Sequence, residues 1–145
     1  MRVDLWFMLL FSIFFIIGPL TQFLQLVAPK LHRKMGLMEA NAFKPEFKWY
    51  LLDERAIAIA DMTYFVTGII FIIAESLGKE WSIPFGIFTC AIYIYFSLLE
   101  MCRWILLGRN NLNPISKSQI LSFYAYLAAF GIFGVIGFFY LWRYV

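Results

Sequence analysis

Charge is what this sequence has least of. Only 14% of its 145 residues are Asp, Glu, Lys or Arg, against 63% hydrophobic and 21% aromatic. A soluble domain carries about 25% charged and roughly 45–50% apolar residues. The shortfall excludes an ordinary water-soluble globule, and it excludes disorder, which needs high charge and low hydrophobicity. With a mean hydropathy of +0.78, the chain is built for lipid.

Other scarcities remove chemistries. The single histidine, His32, has no Glu-x-x-His repeat to join, so the di-iron bundle pattern is absent. His32 reads as a surface residue of a link, and neither a metal nor haem is expected. The two cysteines, Cys90 and Cys102, are twelve residues apart on one apolar run, about 18 Å along a helix, too far to bridge. Without a C-x-x-C they are packing residues and not a redox pair. No Gly-flanked serine or Cys/His pair offers a nucleophile. No cofactor and no catalytic residue is expected.

What the chain does have is long apolar runs. Every backbone amide in a bilayer must be satisfied internally, so apolar runs of about 20 residues read as spanning helices. Four occur, over 5–27, 56–74, 83–107 and 120–142. A membrane barrel would instead need short alternating segments. The expectation is an all-α integral membrane protein: one domain over 1–145, four transmembrane helices in a compact bundle, multi-pass, with a long basic amphipathic link. The first run has 23 uncharged residues and no A-x-A site after it. It therefore reads as a retained helix and not as a signal peptide. Gly18-Pro19 inside it predicts a bend.

The link over 28–55 is far longer than those over 75–82 and 108–119. Leu31, Met35, Met38, Phe43, Phe47, Tyr50 and Leu51 recur near helical spacing among Lys30, Arg33, Lys34, Lys44 and Lys48, with Lys44-Pro45 as a break. Such a segment suits the headgroup layer, apolar side down. Its expected partners are membrane lipids, through their anionic headgroups, at about 1 kcal/mol per cation. The net charge of +3 is therefore not a nucleic-acid signature, because no soluble basic module exists.

Orientation follows from Lys and Arg. Nine of the twelve, namely Lys30, Arg33, Lys34, Lys44, Lys48, Arg55, Arg103, Arg109 and Lys117, flank the first and third links. Arg2, Lys79 and Arg143 lie on the other side. Positive residues stay cytoplasmic, so links 28–55 and 108–119 are expected in the cytoplasm and both termini outside it. The membrane would be a bacterial inner membrane or an intracellular one. Trp6, Trp81, Trp142 and Tyr144 at one boundary, and Trp49, Tyr50 and Trp104 at the other, fit interfacial anchors.

Three ionisable residues fall inside the runs: Asp61, Glu100 and Arg103. Such residues are expensive in lipid and are functional candidates by default. Glu100 and Arg103 share a helix face at i, i+3, and Arg103 or Arg55 is within reach of Asp61 in a folded bundle. Around them, Gln22 and Gln25, Tyr64, Tyr93 and Ser97, and Gln119, Ser122 and Tyr126 place polar groups in the link-side half of all four helices. The other half is almost purely apolar, as at 69–73 and 128–140. Polar side chains in lipid turn inward, so a polar pocket at the cytoplasmic end, closed at the outer end, is expected. The acidic run Asp53-Glu54, by contrast, reads as a helix N-terminus complementing the macrodipole.

The sequence therefore points to a small membrane protein binding a lipid-like or amphipathic ligand, or a partner subunit, through that pocket. A lipid or isoprenoid enzyme with Asp61 or Glu100 as acid/base, and a proton-coupled carrier, are the alternatives. The small residues Ala125, Ala128, Ala129, Gly131, Gly134 and Gly137 on helix four fit close packing within the bundle or a homo- or hetero-oligomer. The orientation has a direct check. A phosphatase fused to the C-terminus should be active, as a periplasmic or lumenal enzyme; a fluorescent cytoplasmic fusion at the same point would reverse the assignment.

Overall fold

The computed structural model describes residues 3–35, 45–112 and 117–145; the side chains of Arg33 and of residues 117–119 are not described. The described chain is helical and contains no strand among those residues. Its helices are α1 (Leu5–Phe15), α2 (Thr21–Val27), α3 (Pro29–Lys34), α4 (Lys48–Ala60), α5 (Met62–Ser76), α6 (Ile83–Arg109) and α7 (Lys117–Trp142). Four stretches are long and apolar enough to cross a membrane: Leu5–Val27, Pro45–Ser76, Glu80–Arg109 and Ile120–Trp142. They pack as a bundle in which α5 meets α1 and α6, α6 meets α7 along most of its length, and α2 packs on α4 and α5.

The second span starts earlier than the apolar run predicts. A short 3-10 turn, Pro45–Phe47, leads into α4, so the charged residues 53–55 are helical and do not belong to the link. Hydropathy ends a helix at its charges, but here those charges find partners inside the bundle, as described below. At 32 residues the second span is about 48 Å long, well over the ~30 Å hydrocarbon core. Its first turns have length to spare for the headgroup layer. Met38, Phe43, Lys44 and the rest of the link over 36–44 lie outside the described residues.

Gly18-Pro19 is accommodated by a π turn, Ile16–Leu20, joining α1 to α2. Proline lacks an amide proton and its ring collides with the carbonyl four residues back, and the wider turn relieves both problems. The Thr21 hydroxyl donates to the carbonyls of Ile17 and Gly18 at 2.8 and 2.7 Å, which replaces lost backbone bonding as spans in lipid require. Gly18 is needed for a close approach: a Cβ there would lie 2.5 Å from the Phe130 ring.

Aromatic rings fill the half of the bundle nearest the termini. Phe7 stacks on Tyr140 at 4.4 Å and Phe14 on Phe133 at 4.3 Å, while Phe11 meets Phe71 edge-on at 4.6 Å. The glycines of α7 face α6. A Cβ at Gly134 would sit 2.9 Å from the Cys90 carbonyl oxygen, and one at Gly131 2.7 Å from Ser97 Oγ. Ser97 crosses the same interface, its hydroxyl donating to Leu127 O at 2.6 Å. The glycine part of the small-residue pattern is thus used within the bundle, and Ala125 and Ala129 remain exposed.

The termini end is not purely apolar. Glu75 is fully buried; its carboxylate accepts the Val3 amide at 2.9 Å and the Ser82 hydroxyl at 2.7 Å. Beside it, the Tyr140 hydroxyl donates to Asp4 Oδ2 at 2.8 Å and accepts the Asp4 amide at 3.1 Å. In the sequence Glu75 stands just past an apolar run and reads as part of a link. The segment ahead of α1 folds over it and encloses it.

The Gly134 contact is with backbone, which cannot swing aside. Gly134→Leu should therefore cost about 1–3 kcal/mol through overpacking, whereas Ala129→Leu on the exposed face should stay within about 0.5 kcal/mol. Circular dichroism during denaturation of both variants in micelles checks this; equal loss would place the α6–α7 contact elsewhere.

Candidate functional site

Two polar groupings lie toward the link end, built differently. The first is an ion cluster on Arg103. Helix α6 sets Glu100 one turn before Arg103, and α4 presents Asp53 and Glu54 from across the bundle. Arg103 Nη1 lies 2.7 Å from Glu54 Oε1 and 3.0 Å from Glu100 Oε2, and Nη2 lies 2.6 Å from Asp53 Oδ2. The guanidinium also sits over the rings of Tyr50 and Trp104, 5.5 and 5.8 Å from their centroids. Arginine suits this arrangement because its planar fork serves several oxygens while its face rests on aromatic rings.

This cluster revises two sequence expectations. Asp53 and Glu54 lie in the second turn of α4 and onward, and they compensate Arg103 instead of serving as acids at a helix N-terminus. Arg103 is occupied by Asp53, Glu54 and Glu100, and among the described residues no ion pair joins it or Arg55 to Asp61. Tyr50, Asp53 and Glu54 were legible only as link residues. The available signal was charge balance, since a buried arginine with one acid on its own helix invites more from a neighbour.

The second grouping is centred on Asp61, the residue between α4 and α5. Its backbone stays helical, with φ −67° and ψ −14°, and its amide donates to Ile57 O at 2.8 Å. Asp61 is only 8% exposed. Its carboxyl meets the Tyr64 hydroxyl, while Tyr93 OH and Gln22 Oε1 are buried without a hydrogen-bond partner. These come from three different spans. Tyr64 follows Asp61 by one turn, and its ring meets that of Tyr93 on α6 at 5.9 Å. Tyr126 of α7 borders the group, its hydroxyl 3.5 Å from where a Gly18 Cβ would be. The charged groups acting on Asp61 from nearby are both acidic, Glu100 and Glu54.

The remaining predicted residues divide. Gln25 is buried one turn from Gln22. Ser97 is spent on Leu127 in the α6–α7 contact. Ser122 is exposed and the side chain of Gln119 lies outside the described residues. His32 departs from its expected surface position, for it is buried in α3 and loss of water lowers its pKa below the ordinary 6.5. Among the described residues no group of three or more His, Cys, Asp or Glu side chains is placed to hold a metal ion. A separate groove of ≈ 290 Å³ on the bundle surface is lined by Thr67, Pro84, Phe85 and Phe88 and includes none of the predicted residues.

Removing the arginine would leave Glu54 and Glu100 facing each other in a poorly solvated site. Arg103→Met should destabilise by about 3–5 kcal/mol, the cost of breaking a buried pair from one side. Adding Glu54→Gln and Glu100→Gln should recover much of it, because the uncompensated charges go with the arginine. Unfolding of the single and triple variants in micelles tests this, and no recovery would mean that Arg103 acts by packing alone. Comparison of the chain with protein-family models, with curated proteins and with solved structures returns no match.

Proposed function

We propose that this protein is a small multi-pass membrane protein without autonomous catalysis. It binds the polar group of a lipid-like or amphipathic ligand between its spans, at the end facing the cytoplasm. The observation that carries this reading is the concentration of buried polar groups at that end: Asp61 with Tyr64, and Tyr93 OH and Gln22 Oε1 without hydrogen-bond partners of their own. Leaving a buried donor or acceptor unsatisfied costs about 1–3 kcal/mol each, and lipid tails supply no partner. A ligand headgroup drawn in among them would meet several at once, with its chain remaining among the apolar side chains.

The surroundings support binding over the other readings. Glu100 is held by Arg103 at 3.0 Å, which leaves Asp61 without a second free carboxylate for acid/base work on a lipid or isoprenoid. The half nearest the termini is packed with Phe7, Phe11, Phe71 and Phe133, which favours a site closed outward over the path a proton-coupled carrier needs. Lys30, Lys34, Lys48 and Arg55 are exposed near the link end. Facing the cytoplasm there, they would meet anionic headgroups, with Trp49 beside them as an anchor.

Mass spectrometry of the purified protein tests the proposal. Wild type should retain one amphipathic molecule through mild detergent, and Tyr64→Phe/Tyr93→Phe should lose most of it while remaining folded. Equal retention by the double variant, or loss of a protein subunit instead of a small molecule, would overturn it.

A further inference from the structure

At mid-depth the outward surface of the first span shows Ile13 and Ile16, and that of α7 shows Ile132 and Val135. Lipid accepts such side chains without a partner. Helix α6 differs. Its Tyr95 is 65% exposed and stands fifteen residues from Glu80 and fourteen from Arg109, the ends of a span of 30. That is the middle of the bilayer, about 15 Å from either headgroup layer, too deep for the phenol to reach water as interfacial tyrosines do. Among the described residues nothing gives its hydroxyl a hydrogen bond, and hydrocarbon offers none.

Tyr95 belongs to a stripe. Phe88, Tyr95 and Cys102 follow one another at intervals of seven residues and are exposed; Ala91, half-buried, and the exposed Leu98 and Ile105 stand between and beyond them at the same interval. Alternating steps of three and four residues average 3.5, the period that keeps one helix face on a neighbour crossing at about 20°. Ala91 lets the two backbones approach. The groove of ≈ 290 Å³ lined by Thr67, Pro84, Phe85 and Phe88 opens beside the end of this stripe, with Phe88 common to both.

We propose that this stripe is where a second copy of the chain docks, α6 against α6, with the two Tyr95 hydroxyls hydrogen-bonded to each other. Copies inserted alike in a membrane are related by a two-fold axis along its normal, so a residue on the axis meets its own counterpart at the same depth. A phenol is both donor and acceptor and therefore pairs with itself. A foreign helix would need a polar group at one chosen depth; a second copy supplies it by symmetry. The same axis sets Cys102 beside the partner's Cys102 and gives the partner's Phe88 the groove at its own depth. The inference is independent of the ligand reading, because this face is opposite the one on which Tyr93 and Ser97 are buried.

The test uses the full chain. In the membranes of the expressing cell, copper-phenanthroline should join wild type into a dimer through Cys102, the exposed thiol, while Cys90 is buried; Cys102→Ser should run as a single chain. In mild detergent, sedimentation equilibrium should show a dimer. Tyr95→Phe, which removes only the hydroxyl, should weaken it about three- to tenfold with circular dichroism unchanged. A monomer throughout, or a Tyr95→Phe dimer as tight as wild type, would overturn the proposal. So would a Cys102 adduct with a different protein in place of the dimer, or a dimer that cross-links through Ile132→Cys on α7 in the Cys102→Ser background and not through Cys102.

Discussion

Hydrocarbon offers no hydrogen bonds, so every polar atom carried into it must find its partner within the protein, and this requirement organises the whole bundle. Proline at position 19 is tolerable because Thr21 and a π turn take up the carbonyls left without donors. Helices α6 and α7 approach closely because glycines at 131, 134 and 137 give way to backbone and side-chain atoms of α6, and the Ser97 hydroxyl closes on a carbonyl across the gap. Glu75 is affordable because two donors reach it. At each of these places the polar demand is met on the spot.

The two ends of the bundle follow the requirement to different results. At the termini end, Glu75, Asp4 and Tyr140 form a hydrogen-bonded cap over a stack of aromatic rings. At the link end, three carboxylates converge on one guanidinium, so that cluster is negative although exposed lysines and arginines lie at the same end. Between them lies the layer around Asp61, whose carboxyl meets the Tyr64 hydroxyl. Tyr93 OH and Gln22 Oε1 stay without partners, at a cost of about 1–3 kcal/mol each, and so does Trp104 Nε1 beside the arginine.

Much of the architecture was legible before any coordinates. Apolar runs of about 20 residues have one stable form in lipid, so the four spans and the all-helical class follow from hydropathy. Gly18-Pro19 announced an irregularity, and Asp61, Tyr64, Tyr93 and Gln22 were among the polar groups expected in the link-side half of the bundle. Hydropathy misplaced what it treats as terminators. It ended the second helix at residues 53–55 and left Glu75 in a link, because a charge reads as solvent-exposed until its partner is known. His32 was misread for the same reason, as a lone polar side chain that the fold buries.

Sequence alone determined the solvent and the number of spans, since these depend on composition along a line. It could not decide which charges meet. Arg103 had Glu100 on its own helix and Asp61 and more distant acids within reach, and only the lateral arrangement of helices added Asp53 and Glu54. Among the described residues that selection leaves Asp61 without an ion pair. Pairing between helices is set by rotation and distance in the plane of the membrane, which a one-dimensional pattern does not contain.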